Sequence, residues 1–267
     1  MKTLTSRDNP LVKHLIKLSG SSRERRLSGT TVLDGEHLIQ AFCAATSQPL
    51  ELLVASESGL NRPSIAGLME SAPALKKFVI EDRLFGQASH VVSPSGILAV
   101  IATPISPALP ARIGNGLYLE GIQDPGNLGS IFRTALGAGC RAIYMSGGSV
   151  FAWSPKVIRA GMGAHFHLAI HENVGLEELS QRADAKIIAT QSGEGTSIYE
   201  TDLRGPVIWM FGNEGAGLSG DARKIAGLNL TIPMAGQTES LNVAASVAIC
   251  LFEQARQLRS VRGQDRS

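Results

Sequence analysis

Cysteine is scarce: Cys43, Cys140 and Cys250 are the three among 267 residues, widely spaced and odd in number. That argues against a disulfide framework and against a zinc site, and fits a reducing, cytoplasmic setting with three buried small apolar side chains. Aromatic residues make up only 5%. None is interleaved with the basic residues near the N-terminus, so stacking on single-stranded bases has no support there. Charge is thin as well, at 18% charged residues and a formal net charge of +2, so composition announces no nucleic-acid partner and a basic surface must come from local clustering. Long apolar runs are missing. The longest apolar helical stretch, Leu241 to Phe252, is interrupted by Asn242 and Ser246 and falls short of the ~20 residues a bilayer requires. Its all-round apolarity predicts burial on every side, in the core or against a second subunit. Lys2, Arg7 and Asp8 have no apolar run behind them, so no secretory signal is expected. No GxGxxG follows the first strand of either predicted domain, and GxxxxGK[ST] is absent, which removes the dinucleotide fingerprint and the phosphate loop. No metal-ligating cluster is visible.

What is present is a 43% apolar chain long enough for one large or two ordinary domains. Residues 1 to 103 predict a small αβα unit. Strands are expected at Thr30 to Leu33, Leu50 to Ala55, Lys77 to Ile80 and Gly96 to Ala102, with helices between them, in a mostly parallel layered sheet. The basic cluster Lys13, His14, Lys17, Arg23, Arg25 and Arg26 precedes the first strand. It reads equally as a phosphate-tracking surface or as a solvated helix face. Pro104, Pro107 and Pro110 favour an extended spacer, which sets a linker at 104 to 112 and a second domain at 113 to 267.

In the second domain, strands are expected at Gly116 to Glu120, Ala142 to Met145, Phe166 to Ile170, Lys186 to Thr190, Val207 to Phe211 and Leu228 to Ile232. Several end in glycine or small residues, and in open α/β sheets ligands bind at that edge. Three polar loops follow such ends. The first, Asp124-Pro-Gly-Asn127, leads into a helix carrying Arg133, expected about one turn inside; a cation there suits a phosphate or is a plain surface arginine. The second, Gly212 to Gly217, can bring backbone close to a ligand, with Glu214 facing a ligand or capping the next helix. The third runs from Ile232 past Gly236 into a helix expected to begin at Ser240, Leu241 and Asn242. Unpaired backbone groups beside an apolar wall suit a flat heteroaromatic ring there, as does an ordinary αβ corner.

DPGNLGSIFRTALGAG, MFGNEGAGLS and IPMAGQTESLNVAASVAICLFE, in that order, resemble the three motifs of the SpoU (TrmH) branch of SPOUT RNA methyltransferases. Thr5-Ser-Arg-Asp-Asn-Pro10 and Asp34-Gly-Glu-His37 resemble the RNA substrate-binding domain, similar to a ribosomal-protein-type module, that precedes the catalytic domain in many members. The resemblance implies an α/β domain tied in a deep trefoil knot, a rare exception to unknotted folds. It implies a homodimer, with the active site near the subunit contact and the Leu241 to Phe252 helix suited to an isologous interface.

The implied cofactor is S-adenosylmethionine, bent in the knot and held by backbone near Gly212, Ile232 and Leu241, with Thr190 and Gln191 lining its pocket. The implied reaction is methyl transfer to a ribose 2′-hydroxyl of RNA, ribosomal RNA first, with transfer RNA or a catalytically silent RNA-binding protein as alternatives. Arg133 matches the family's catalytic arginine; a guanidinium is a poor general base, so its first reading is a clamp on phosphate and ribose oxygen. Asn127, Glu214, Ser240 and Asn242 would complete the polar shell. At Gly161 many relatives carry serine, which leaves the loop around Arg159 without a hydroxyl.

Overall fold

A computed structural model describes residues 2–89, 93–193 and 195–264. In chain order its first elements are β1 (Lys2–Leu4), α1 (Pro10–Gly20), α2 (Ser22–Ser28), β2 (Thr30–Asp34), α3 (Glu36–Ala45), β3 (Leu52–Ser56), α4 (Pro63–Ser71), β4 (Lys77–Ile80), α5 (Asp82–Ser89) and β5 (Ile97–Ala102). These are followed by β6 (Gly116–Leu119), α6 (Pro125–Gly137), β7 (Ala142–Met145), α7 (Pro155–Gly161), β8 (Ala169–His171), α8 (Leu176–Arg182), β9 (Lys186–Gln191), β10 (Thr196–Ser197), β11 (Val207–Phe211), α9 (Gly220–Ile225), β12 (Leu228–Thr231) and α10 (Val243–Gln264). They form two compact units. The first joins Met1–Ile105 to Trp153–Phe166, and the second joins Ser106–Ala152 to His167–Ser267. The division falls within the proline-rich stretch, but the segment around α7, expected in the second domain, belongs to the first unit.

The first unit holds a five-stranded sheet in the order β1-β4-β3-β5-β2. The sheet is mixed, because β5 runs antiparallel to both β2 and β3. Ile97 to Ile101 are buried without alternation, and an apolar run of that kind carries no signal of direction. Asn9 accepts a hydrogen bond from Leu11 N at 2.9 Å, and Pro10 opens α1, whose Val12, Leu15 and Leu18 are buried at helical spacing. Lys13 and Lys17 lie on its exposed face.

The second part of the basic run lies in α2, Ser22–Ser28, in keeping with the helical one of its two readings. Ser21 Oγ accepts from Glu24 N at 3.1 Å, and the helix stops at Gly29 with φ +64°. This turns Arg25 inward, to 1% exposure, so Arg25 leaves the predicted phosphate-facing cluster while Arg23 and Arg26 stay exposed. Arg25 Nε donates to Leu18 O at 2.7 Å and Nη1 to Trp153 O at 2.9 Å. Burial first, and the positive Arg159 second, push its pKa down to about 9. Nearby, Asp34 accepts from Ser89 Oγ at 2.7 Å and Ser95 Oγ at 2.9 Å. Its pKa is still raised, because burial outweighs both bonds. Phe42 meets Phe166 edge-on at 5.4 Å, and His37 Nε2 pairs with Met162 O at 3.2 Å. These contacts attach Trp153–Phe166 to the first unit.

The second unit is a seven-stranded sheet, β10-β12-β9-β11-β6-β7-β8, with every described pair parallel. The chain steps outward from β6 to β8, crosses to β9, and then inserts β11 between β9 and β6. This reversal makes a topological switch point at the carboxyl ends of β6 and β11. The strand expected at Phe166 to Ile170 is a short 3₁₀ turn, Ala164–His167, followed by β8. Met162 at φ 49° and Gly163 at φ +87° bend the chain just before it.

Helix α10 begins at Val243, three residues later than expected, because the Asn242 side chain accepts from Ala244 N at 2.9 Å and caps it. It packs on α6, and Gln254 Oε1 takes the buried Trp209 Nε1–H at 2.8 Å. Within the single chain Phe252 is 48% exposed, so the core alone does not cover this helix on every side. Of the cysteines only Cys250 is fully buried; Cys43 and Cys140 are half-buried. No helix among the described residues is long and apolar enough to cross a membrane.

Candidate active site

The carboxyl ends of β9, β11 and β12 open into one cavity of about 600 Å³, within the range of small-molecule and cofactor sites. All five residues expected to hold a cofactor, Thr190, Gln191, Gly212, Ile232 and Leu241, line it. Thr190 Oγ1 donates to Met210 O at 3.0 Å, which ties β9 to β11 at the cavity floor. Gly212 is there for space: a Cβ would stand 2.1 Å from Gly217 C and 2.2 Å from Leu218 N. Only glycine lets the two stretches of main chain pass so closely.

The polar shell is assembled from three loops. Glu214 accepts from Gln123 N at 3.2 Å, from Asp124 N at 3.1 Å and from Asn127 Nδ2 at 3.1 Å. Burial raises the Glu214 pKa, but the bonds from Asn127 and from backbone N–H groups, including those of Gln123 and Asp124, outweigh it, and the carboxyl sits below the usual glutamate range. Asn242 Nδ2 donates to Asn127 Oδ1 at 2.9 Å. Asp124 caps α6 by accepting from Asn127 N at 2.7 Å. Asn127, Glu214 and Asn242 therefore form one chain of hydrogen bonds, and Ser240 lines the cavity beside them.

Arg133 is placed differently from expectation. Since α6 starts at Pro125, Arg133 lies more than two turns inside it. It is exposed, is absent from the cavity wall, and sits one turn before Gly137, where a Cβ would lie 4.0 Å from Phe252 Cζ. Gly161 is buried at the end of α7 and, with the half-buried Arg159, belongs to the first unit.

Two supports were not singled out from the sequence. Asn213 donates to Gly121 O at 2.8 Å and accepts from Gly215 N and Ala216 N at 2.9 and 3.0 Å, which fixes the curl of its loop. Glu120 accepts from Ser219 N at 2.7 Å and Ser219 Oγ at 2.8 Å. Asparagine in a glycine-rich turn was the available signal for the first; the second has no local one. No group of His, Cys, Asp and Glu suited to a metal ion occurs among the described residues.

An open parallel sheet with a cavity of this size at its carboxyl edge, beside the switch point, marks a ligand-binding α/β domain of the cofactor-binding class. The model of the SpoU rRNA Methylase family matches residues 115–252. An uncharacterized tRNA/rRNA methyltransferase of Synechocystis sp. is 33% identical, covering 96% of this chain and 94% of that one. The 23S rRNA (guanosine(2553)-2′-O)-methyltransferase RlmP of Bacillus subtilis is 31% identical, covering 94% of this chain and 98% of its own. Among solved structures, an AdoMet-bound rRNA methyltransferase from Sinorhizobium meliloti superposes with a TM-score of 0.82 at 26% identity, over 96% of this chain and 98% of that one. The chain belongs to the SpoU rRNA methylase family. It is an S-adenosylmethionine-dependent RNA 2′-O-methyltransferase.

Proposed function

We propose that this enzyme methylates a ribose 2′-hydroxyl of ribosomal RNA in the cytoplasm, with the cavity at the carboxyl ends of β9, β11 and β12 as the cofactor seat. The observation that carries the reading is the convergence of Gly212, Ile232 and Leu241 on that one cavity. S-adenosylmethionine supplies an electrophilic methyl group when bound. The chain's own residues supply position. Main-chain atoms beside Gly212, where no side chain fits, read the adenine, and Thr190 and Gln191 form the wall. The Asn127–Glu214–Asn242 chain and Ser240 fix the polar side against which the ribose is set, which contributes by alignment and by stabilising developing alkoxide charge. Such a linked set speaks for catalysis over silent binding.

Arg133 clamps phosphate and ribose oxygen of the substrate, and proton abstraction is not its first role, because a guanidinium stays protonated at working pH. Its exposure, one turn before the Gly137 position that faces Phe252, supports a homodimer in which α6 and α10 meet a second copy and the arginine lies at the contact. Ala245 and Phe252 are exposed on α10, with Ala248 and Ile249 half-exposed between them at helical spacing, a narrow apolar stripe of the kind an isologous interface covers. The trefoil threading is carried over to this domain from the motif resemblance of its three loops. Residues 1 to 103 act as the RNA-binding domain, with Lys13, Lys17, Arg23 and Arg26 as its phosphate-facing cations. Mapping ribose methylation across total RNA, with and without the protein, tests the whole reading. Loss of a site in transfer RNA, or of none, would overturn it.

A further inference from the structure

We propose that Arg223 and Glu239 grip the amino-acid end of the cofactor, Arg223 taking its carboxylate and Glu239 its ammonium group. The proposal rests on the cavity being the cofactor seat and goes beyond it, since neither residue belongs to the polar chain or to the backbone positions described above.

S-adenosylmethionine carries two cationic centres, the sulfonium and the ammonium, and one carboxylate. Adenine is neutral and can be read by main chain, but a carboxylate withdrawn from water requires a donor, and a guanidinium is the strongest available. Among the described residues that line the cavity, the charged ones are Glu214, Arg223 and Glu239. Two carboxylates and one guanidinium are the inverse of the cofactor's own charges.

The three are not equally committed. Glu214 is taken up by Asn127 and by the N–H groups of Gln123 and Asp124. Lys224, next to Arg223 on α9, is paired with Asp221 at 2.8 Å. Arg223 and Glu239 have no side-chain hydrogen bond or ion pair among the described residues, so both face the cavity with their capacity unspent. The backbone under Arg223 is fixed. Ser219 caps α9 by accepting from Ala222 N at 3.1 Å, is itself held by Glu120, and Ala222 is fully buried. A long side chain on a fixed stem at the rim can reach a ligand tail without remaking the loop.

The test compares two ligands on the full-length protein by calorimetry. S-adenosylhomocysteine has the amino-acid tail; 5′-methylthioadenosine shares the nucleoside and sulfur and lacks the tail. Arg223→Gln is expected to weaken S-adenosylhomocysteine about ten- to a hundred-fold and to leave methylthioadenosine within about twofold. Arg223→Lys should lie between, and Glu239→Gln should show the same selectivity with a smaller effect. Equal loss of both ligands, or unchanged binding of S-adenosylhomocysteine, overturns the proposal. Leu241→Trp, which fills the seat, separates the two levels. If it abolishes both ligands while Arg223→Gln affects neither, the seat stands and only the tail assignment falls. If both ligands still bind, the seat itself is wrong.

Discussion

Asn242 donates from Nδ2 to Oδ1 of Asn127 at 2.9 Å, joining residues 115 positions apart in the chain. The same Asn242 caps α10, and the same Asn127 holds Glu214. One asparagine pair thus sets the start of a helix and the orientation of a carboxylate together. Asn127→Ala should lower the methylation rate by at least about tenfold while changing S-adenosylhomocysteine affinity less than about threefold. Asn127→Asp should be worse, because it sets a second carboxylate against Glu214. Single-turnover rates and calorimetry decide it, and an active Asn127→Asp enzyme would remove the network from the mechanism.

Arg133 is exposed and stands off the cavity wall, which suits the clamp on substrate proposed for it. Arg133→Ala should abolish methylation and leave cofactor affinity nearly intact. Parallel loss of both would refute the clamp.

The N-terminal cations divide by burial. Neutralising Lys13, Lys17, Arg23 and Arg26 should weaken RNA binding and flatten the slope of log affinity against log salt by roughly 0.7 to 0.9 for each phosphate no longer neutralised. Arg25→Met should instead act on stability. It leaves two carbonyls, Leu18 O and Trp153 O, without their donor, at a cost of about 2 to 4 kcal/mol. Thermal unfolding with RNA titrations separates the two classes, and an Arg25→Met protein of normal stability but poor RNA affinity would reverse the assignment.

Glu214 predicts an acid dependence. Its folded pKa lies below the ordinary 4.5, so the anchoring of its loop is complete above that value and is lost as pH falls through the lower folded pKa. The melting-temperature difference between the parent protein and Glu214→Gln should be constant above about pH 5 and shrink at lower pH. A gap unchanged at about pH 3 would show that the carboxylate charge is not what holds the loop.

Phe252 tests the assembly. Phe252→Glu should convert the proposed dimer to monomer, read by sedimentation, and should lower methylation with it. A monomeric parent protein would remove the isologous contact.

Much of this was legible in the residues. β7 and β11 were read to the residue because each is a short apolar run bounded by glycine or polar turns, and the three loops of the site are visible as breaks after such runs. The start of α6 was signalled by Asp124 and Pro125, a cap followed by a proline in the first turn, yet these looked like turn chemistry, which displaced Arg133 along its helix. Arg25 could not have been read: its partner Trp153 O lies 128 residues away, and a run of arginines and serines resembles an exposed helix wherever it packs. β1 spans three residues, too few for a period to show. The direction of β5 was equally silent, since a run buried on both faces is the same forwards and backwards. Arg223 had no signal of its own, because its meaning comes from facing a cavity that four separated stretches enclose.

Because Trp153–Phe166 completes the first unit, that unit is not finished when its last strand leaves the ribosome. Some 60 further residues beyond Ile105 must be synthesised before Trp153, Val157 and Ile158 can be enclosed, a wait of about 3 to 12 s at ordinary elongation rates. A ribosome stalled between the two stretches would hold out an unfinished, adhesive nascent chain, which makes this interval the place where chaperone dependence is to be sought.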